Sequence, residues 1–173
     1  IPLTLLSYQL DYALGEVEPF LYHAQNLLWH IGNAVLVVFL IRKFLGSAGE
    51  AKSAELKAIS YFCGLLFLVH PLNTETVVWA SARKDVLSTF WFLLSLSLYV
   101  QCCDGISRNN RLYAWSIAAF ALALMAKVSV ITLPVVLVLL DYYRYRGEER
   151  ILLRSLKGKI PYFILAGIFG IVA

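Results

Sequence analysis

The sequence predicts an all-α, polytopic membrane protein with about six membrane helices. Hydrophobic residues make up 60% of its 173 positions and charged residues only 15%, and the mean hydropathy is +0.73. Soluble domains carry a larger share of charged residues. The apolar runs are continuous rather than alternating, which favours membrane helices over the strands of a membrane barrel.

Each predicted membrane helix is a continuous apolar run, and charged connectors separate the runs. The predicted helices are 24–41, 58–69, 86–103, 112–126, 128–140 and 160–173. Segment 58–69 would measure only about 18 Å, against about 30 Å of hydrocarbon. Its helix therefore begins earlier, near Ala54, or the residues around Pro71 lie within the membrane boundary.

Residues 1–22 carry three acids and no basic residue, and we predict an extracytoplasmic loop there, followed by membrane helices over 23–173. The chain starts without Met and ends inside an apolar run. We therefore expect 1–173 to be part of one transmembrane domain of a larger protein.

Lys127 is the one charged residue in the apolar stretch 112–140. An ammonium at the centre of a membrane helix costs about 2.5–3.5 kcal/mol or more. A hairpin with Lys127 at its turn avoids that cost. Successive connectors between membrane helices lie on alternate sides of the membrane. This places Arg83, Lys84 and Lys127 on one side and the other twelve of the 15 Lys and Arg residues on the opposite side. By the positive-inside rule, the side with twelve is cytoplasmic.

Four polar residues follow one face of the first apolar helix. His23, Asn26, His30 and Asn33 are spaced i, i+3, i+7 and i+10. Such a stripe faces other helices or a wet cavity rather than lipid. Interhelical hydrogen bonding is one interpretation; the other makes His23, Asn26 and His30 line a substrate cavity. No metal site is predicted, because His residues seven positions apart lie about 10 Å from each other.

The densest polar segment is 70–85. Asn73 or Thr74 is predicted to cap a short helix, along which Glu75, Trp79 and Arg83 would share one face. Clustered cations oriented by acids suit a phosphate or diphosphate, whereas an ion-pair network joining helices is an equally compatible interpretation. The predicted substrate-binding residues are His70, Glu75, Arg83, Lys84, Asp85 and Lys127.

Cysteine usage and net charge carry little functional information. Cys63, Cys102 and Cys103 give no disulfide framework and are interpreted as packing residues. The net charge of +4 reflects the sorting of basic residues across a bilayer, so nucleic-acid binding is not predicted.

Five motifs in chain order carry a family resemblance. They are Tyr22-His23-x-x-Asn26-Leu-Leu-x-His30, His70-Pro71-x-x-Thr74-Glu75-x-Val-x-Trp79, Arg83-Lys84-Asp85, Ala126-Lys127-x-x-x-Ile-Thr-Leu-Pro134, and Leu-Leu-Asp141-Tyr. Together they resemble the membrane portion of the transmembrane and tetratricopeptide-repeat proteins and their bacterial relatives, in the GT-C superfamily of glycosyltransferases.

The resemblance implies a GT-C-like bundle that transfers a sugar, often mannose, from dolichyl or undecaprenyl phosphate to a protein or glycan hydroxyl on the extracytoplasmic side. It places the catalytic acid in the first extracytoplasmic loop, which we expect upstream of Ile1, and any repeat domain beyond Ala173. The Arg83-Lys84-Asp85 version favours a bacterial inner membrane over the endoplasmic reticulum.

Two other classes stay open on the residues alone. A transporter or channel would use buried His, Asp and Lys side chains as an ion pathway. A membrane scaffold without catalytic activity would use them only to join helices. Substrate flux in liposomes without a lipid-linked sugar would indicate a transporter, whereas binding of a polyisoprenyl phosphate separates a transferase from a scaffold.

Overall fold

The computed structural model describes residues 2–47, 53–102, 109–144 and 156–172, and the regular structure in these ranges is helical throughout. The α-helices, numbered in chain order, are α1 Pro2–Gly15, α2 Pro19–Ser47, α3 Ser53–Val69, α4 Thr74–Val78, α5 Arg83–Cys102, α6 Asn110–Ala126, α7 Leu133–Arg144 and α8 Ile160–Val172. Turns of 3-10 helix cover Pro71–Asn73, Ala80–Ala82 and Val128–Thr132. The all-α prediction is confirmed. Cys103 lies outside the described residues.

The chain has helices of membrane-spanning length. Within the described residues, Pro19–Gly46 and Ala80–Cys102 are long and apolar enough to cross a bilayer. A third span is obtained if Ala54–Val69 and Pro71–Val78, which meet at a bend of 48°, are counted as one. The chain is therefore an integral membrane protein, while the count of six membrane helices stays a prediction.

The leading segment, predicted as a loop, is largely helical. Helix α1 occupies most of it, and α2 begins at Pro19, where the fixed φ of proline suits a first helical position. Helix α1 buries Thr4 and Asp11, whereas Leu5 and Leu10 on its outer face are exposed. The helical spacing of these polar residues explains the helix, while the extracytoplasmic position of residues 1–22 stays a prediction.

Helix α3 resolves the question of the short segment 58–69. The helix begins at Ser53, which agrees with the predicted earlier start near Ala54. It ends at Val69, directly before His70 and Pro71, and the bend of 48° follows there. Proline lacks the backbone N–H that would continue the helical hydrogen bonds, which explains why the regular helix stops here.

A close crossing joins α2 and α3 at Gly64. A Cβ at this position would collide with the Val38 side chain and lie 3.3 Å from the Ala34 carbonyl oxygen. Small residues allow membrane helices to approach in this way, because lipid gives little hydrophobic drive for helices to associate.

Helices α5 and α6 form the centre of the bundle. Ser95 Oγ donates to the Ser116 carbonyl at 2.7 Å, and Ser116 Oγ donates to the Ser95 carbonyl at 2.6 Å. Tyr162 of α8 reaches the same place, with its hydroxyl 2.8 Å from Ser116 Oγ. Phe120 and Leu137 belong to the surrounding apolar core, so α6, α7 and α8 pack around α5.

The chain breaks at Lys127, as predicted. Helix α6 ends at Ala126, and Lys127 has an extended backbone with φ −157° and ψ 128°. The predicted helix 128–140 was wrong at its start, because Val128–Thr132 forms 3-10 helix and α7 begins only at Leu133. A single helix across 112–140 is excluded, and the charge of Lys127 is thus kept out of a helix centre.

A buried ion pair lies near the C-terminal end of α7. Lys159 Nζ contacts the Asp141 carboxylate, and the Tyr99 hydroxyl donates to the same carboxylate oxygen at 2.7 Å. The Tyr113 hydroxyl donates to the Gly158 carbonyl at 2.6 Å. These bonds fasten the start of α8 to α5, α6 and α7.

Candidate ligand-binding site

The segments predicted to share the extracytoplasmic side meet at one end of the bundle. Thr4 Oγ1 of α1 donates to the Ala126 carbonyl at 3.2 Å, beside Lys127. The Tyr8 hydroxyl donates to the Ala80 carbonyl at 2.6 Å, between α4 and α5. Helix α1, segment 70–85 and the turn at Lys127 therefore form one continuous surface.

Arg83 lies beneath this surface, fully buried. Its guanidinium pairs with the Asp11 carboxylate and donates to Asn26 Oδ1 at 2.9 Å and to the Tyr22 carbonyl at 2.8 Å. The planar fork of arginine suits several acceptors at once, which a lysine cannot match. Arg83 thus ties α1, α2 and α5 together.

Two aromatic rings complete the surroundings of Arg83. The guanidinium carbon lies 4.8 Å from the Tyr8 ring centroid and 5.6 Å from that of Tyr22, within the range of cation–π attraction. Burial raises the pKa of the Tyr8 phenol, although the Arg83 charge opposes this. The phenol stays protonated and can donate its hydrogen bond to Ala80.

This arrangement corrects the predicted face of Glu75, Trp79 and Arg83. Helix α4 ends at Val78 and Trp79 is extended, so no continuous helix aligns the three residues. Glu75 and Trp79 are exposed, whereas Arg83 points into the bundle. The predicted short helix is present and Asn73 holds its N-cap position, but the Asn73 side chain makes no cap hydrogen bond to the described residues.

The other two predicted cations are accessible. Lys127 Nζ pairs with Asp85 Oδ1, and the two side chains are 36% and 26% exposed. Lys84, adjacent in sequence to Asp85, is half-buried. Their partial exposure leaves both ammonium groups within reach of a ligand approaching this end of the bundle.

The polar stripe of α2 donates hydrogen bonds to backbone carbonyls of the neighbouring segments. His30 Nε2 lies 3.0 Å from the Leu68 carbonyl oxygen and must carry the proton there, because a carbonyl only accepts. Asn26 Nδ2 donates to the Trp79 carbonyl at 3.1 Å, and Asn33 Nδ2 donates to the Val86 carbonyl at 3.1 Å. The interhelical interpretation of the stripe therefore holds for Asn26, His30 and Asn33.

A cavity of about 300 Å³ lies between α2 and the segment after α3. His30, His70, Asn73 and Thr74 are its polar lining residues. Non-helical backbone is tolerated at membrane depth where it lines such a cavity. His23 and Asn26 do not line it, and His23 is exposed, so a cavity-lining role for these two stays a prediction.

Replacing His30 with alanine should destabilise the protein by about 1–3 kcal/mol, because the Leu68 carbonyl loses its donor in a buried site. The matched control is His23→Ala on the same helix, whose exposed ring makes no comparable hydrogen bond to a described residue. Unfolding of the two variants by titration with a denaturing detergent measures the difference in their free energies of unfolding. Equal stability of both would contradict a capping role for His30.

Sequence reasoning missed Asp11. Its carboxylate is fully buried against Arg83, and its Oδ1 has no hydrogen-bond partner among the described residues. The signal was present, since Thr4, Tyr8 and Asp11 are spaced i, i+4 and i+7 and so share a helical face. Within the described ranges, no group of three His, Cys, Asp or Glu side chains could hold a metal ion.

The curated proteins similar to this chain are all named protein O-mannosyl-transferases of the TMTC series. Protein O-mannosyl-transferase TMTC2 of Mus musculus is 32% identical over 114 residues, covering 66% of this chain and 13% of that protein. Protein O-mannosyl-transferase Tmtc3 of Drosophila melanogaster is 34% identical over 111 residues, covering 58% of this chain and 12% of that protein. Protein O-mannosyl-transferase TMTC4 of Homo sapiens is 34% identical over 116 residues, covering 64% and 15% respectively.

The chain is therefore similar to the TMTC proteins, and we refer to it as TMTC-like. It spans 13% of the length of the mouse relative, so the match concerns one membrane portion of a much longer protein. No family model matches the TMTC-like chain, and no solved structure matches it. The resemblance predicted from the sequence motifs is confirmed by the curated relatives.

Proposed function

We propose that the TMTC-like chain is part of a membrane glycosyltransferase of GT-C type. In this proposal a sugar, with mannose as the first candidate, passes from a polyisoprenyl phosphate to a protein or glycan hydroxyl on the extracytoplasmic side. The observation that carries the proposal is the partly exposed pair of Lys127 with Asp85 at the surface where α1, segment 70–85 and the Lys127 turn come together. Lys84 precedes Asp85 in the chain and is half-buried. The names of the relatives supply the reaction class.

The reaction needs stabilisation of a leaving phosphate. The acceptor hydroxyl attacks the anomeric carbon and gives its proton to a base, while the bond from that carbon to the phosphate oxygen breaks and negative charge grows on the lipid phosphate. Cations held in place before the reaction stabilise that charge without reorganising. Lys84 and Lys127 are the side chains that we assign to this phosphate.

The remaining predicted residues take supporting roles in the proposal. Asp85 orients Lys127 through their ion pair. His70 and Glu75 are exposed, and we assign them to binding the same substrate. Arg83 acts as a positioning residue, because its buried guanidinium already has three close acceptors. The base that takes the acceptor proton is assigned to none of these residues, and we expect it in the loop upstream of Ile1.

A lipid-linked donor fits the position of the cations. They lie where the apolar helices α5 and α6 meet the surface, so a phosphate on a membrane-embedded lipid would arrive at their level. We favour undecaprenyl phosphate in a bacterial inner membrane as the donor lipid, with dolichyl phosphate in the endoplasmic reticulum as the alternative.

The test uses the full-length protein in vesicles. Radiolabelled mannose is supplied either on undecaprenyl phosphate or on a soluble nucleotide, together with peptides rich in Ser and Thr. We expect label to reach peptide from the lipid donor only, and not in vesicles lacking the protein. Transfer from the nucleotide alone, or movement of the donor across the vesicle without transfer to peptide, would contradict the proposal.

A further inference from the structure

A large groove runs along the outer side of α2 and α3, and its end at Ile31 and Leu68 adjoins the cavity near His30. Its volume is about 980 Å³ and its lining is almost entirely apolar. Val35 and Leu65 are 61% and 58% exposed on its walls, so it opens towards the surroundings of the bundle. In a membrane these surroundings are lipid.

The length of the groove matches one leaflet. Its lining on α2 runs from Ile31 to Lys43, and on α3 from Leu56 to Leu68. Twelve residues of helix rise about 18 Å. Half of the hydrocarbon core is about 15 Å. The groove therefore extends from a headgroup region to about the middle of a bilayer.

Among the described lining residues, the charged ones lie at one end of the groove. Arg42 and Lys43 line it there, and Arg42 is exposed and makes no ion pair with a described residue. The opposite end, near Ile31 and Leu68, is apolar. A ligand that complements this pattern has an anionic head and an apolar chain no longer than one leaflet.

We propose that this groove binds one anionic phospholipid of the leaflet at the Arg42 end. Its phosphate lies between Arg42 and Lys43, and an acyl chain follows α2 and α3. The charge sorting of the sequence makes this leaflet the cytoplasmic one. The site is separate from Lys84 and Lys127, so it does not depend on the proposed transferase function.

The first measurement compares two phospholipids of equal chain length. Full-length protein is delipidated in detergent and titrated with phosphatidylglycerol or phosphatidylcholine, and bound lipids are counted by native mass spectrometry. We expect the first phosphatidylglycerol to bind at least tenfold more tightly than phosphatidylcholine. Equal affinity for the two lipids would overturn the proposal.

Three variants locate the binding. The double variant Arg42→Gln/Lys43→Gln should weaken phosphatidylglycerol binding about 25-fold, since each cation near an anionic surface is worth about fivefold. Arg111→Gln, an exposed cation outside the groove, is the matched control and should change nothing. Val35→Phe fills the groove and should weaken binding with both cations intact. Unchanged phosphatidylglycerol binding in Val35→Phe would overturn the proposal. It would show that the lipid binds elsewhere or that another part of the protein covers the groove.

Discussion

Replacing Arg83 with glutamine should destabilise the protein by about 3–5 kcal/mol, because it leaves the buried Asp11 carboxylate without its counter-charge. Both side chains of the pair are fully buried, so water cannot replace the lost cation. The guanidinium also holds Asn26 and the Tyr22 carbonyl. Unfolding of the full-length protein titrated with denaturing detergent measures the loss.

Three further variants test this explanation. Lys84→Gln, the adjacent cation, is half-buried and makes no ion pair with a described residue, so its stability should stay within about 0.5 kcal/mol of the wild type. Arg83→Lys should recover only part of the loss, because an ammonium cannot serve three acceptors in a plane. Adding Asp11→Asn to Arg83→Gln should restore stability. If Arg83→Gln unfolds no more easily than Lys84→Gln, the pair with Asp11 does not support the fold.

The break at Lys127 was predictable because one physical cost dominates it. A charge in a helix centre surrounded by hydrocarbon is so unfavourable that the chain must turn or pair there. Pro71 similarly predicts the end of α3, because proline lacks a backbone N–H donor. These features follow from single residues and their immediate neighbours, and they needed no knowledge of packing.

The partnership of Arg83 with Asp11 could not be predicted in the same way. The two residues lie 72 positions apart, and charge sorting only placed them on one side of the membrane. Which cation turns inward depends on how α1 packs against α2 and α5. Arg83, Lys84 and Lys127 therefore looked equivalent in the sequence, whereas their exposure in the structure separates them.

The polar stripe of α2 was predictable from the sequence only in part. The helix break at His70 and Pro71 leaves the Leu68 carbonyl without a helical donor, and His30 supplies one from the neighbouring helix. An unsatisfied carbonyl costs several kcal/mol in lipid, so such a break survives only where a polar side chain faces it. The stripe was predictable, but its partners became clear only from the position of the break.

Replacing Lys127 with glutamine should lower turnover more than tenfold while leaving the fold intact. This expectation rests on the proposed transferase function, in which Lys127 stabilises the departing lipid phosphate. Its pair with Asp85 is partly exposed, and exposed ion pairs contribute only about 0–1 kcal/mol to stability. Initial rates of mannose transfer from undecaprenyl phosphate to peptide, measured in vesicles beside the unfolding midpoint, separate the two effects.

Lys57→Gln is the matched control, an exposed lysine at the start of α3 and far along the chain from the candidate site. It should leave turnover unchanged, and Lys127→Arg should retain more activity than Lys127→Gln because it keeps the charge. Asp85→Asn distinguishes phosphate binding from a purely structural pair. If Lys127 only needs Asp85 as a partner, both neutral variants lose activity equally. If Lys127 acts on the phosphate, Asp85→Asn keeps that cation and loses less, and full activity in Lys127→Gln would remove Lys127 from the proposed site.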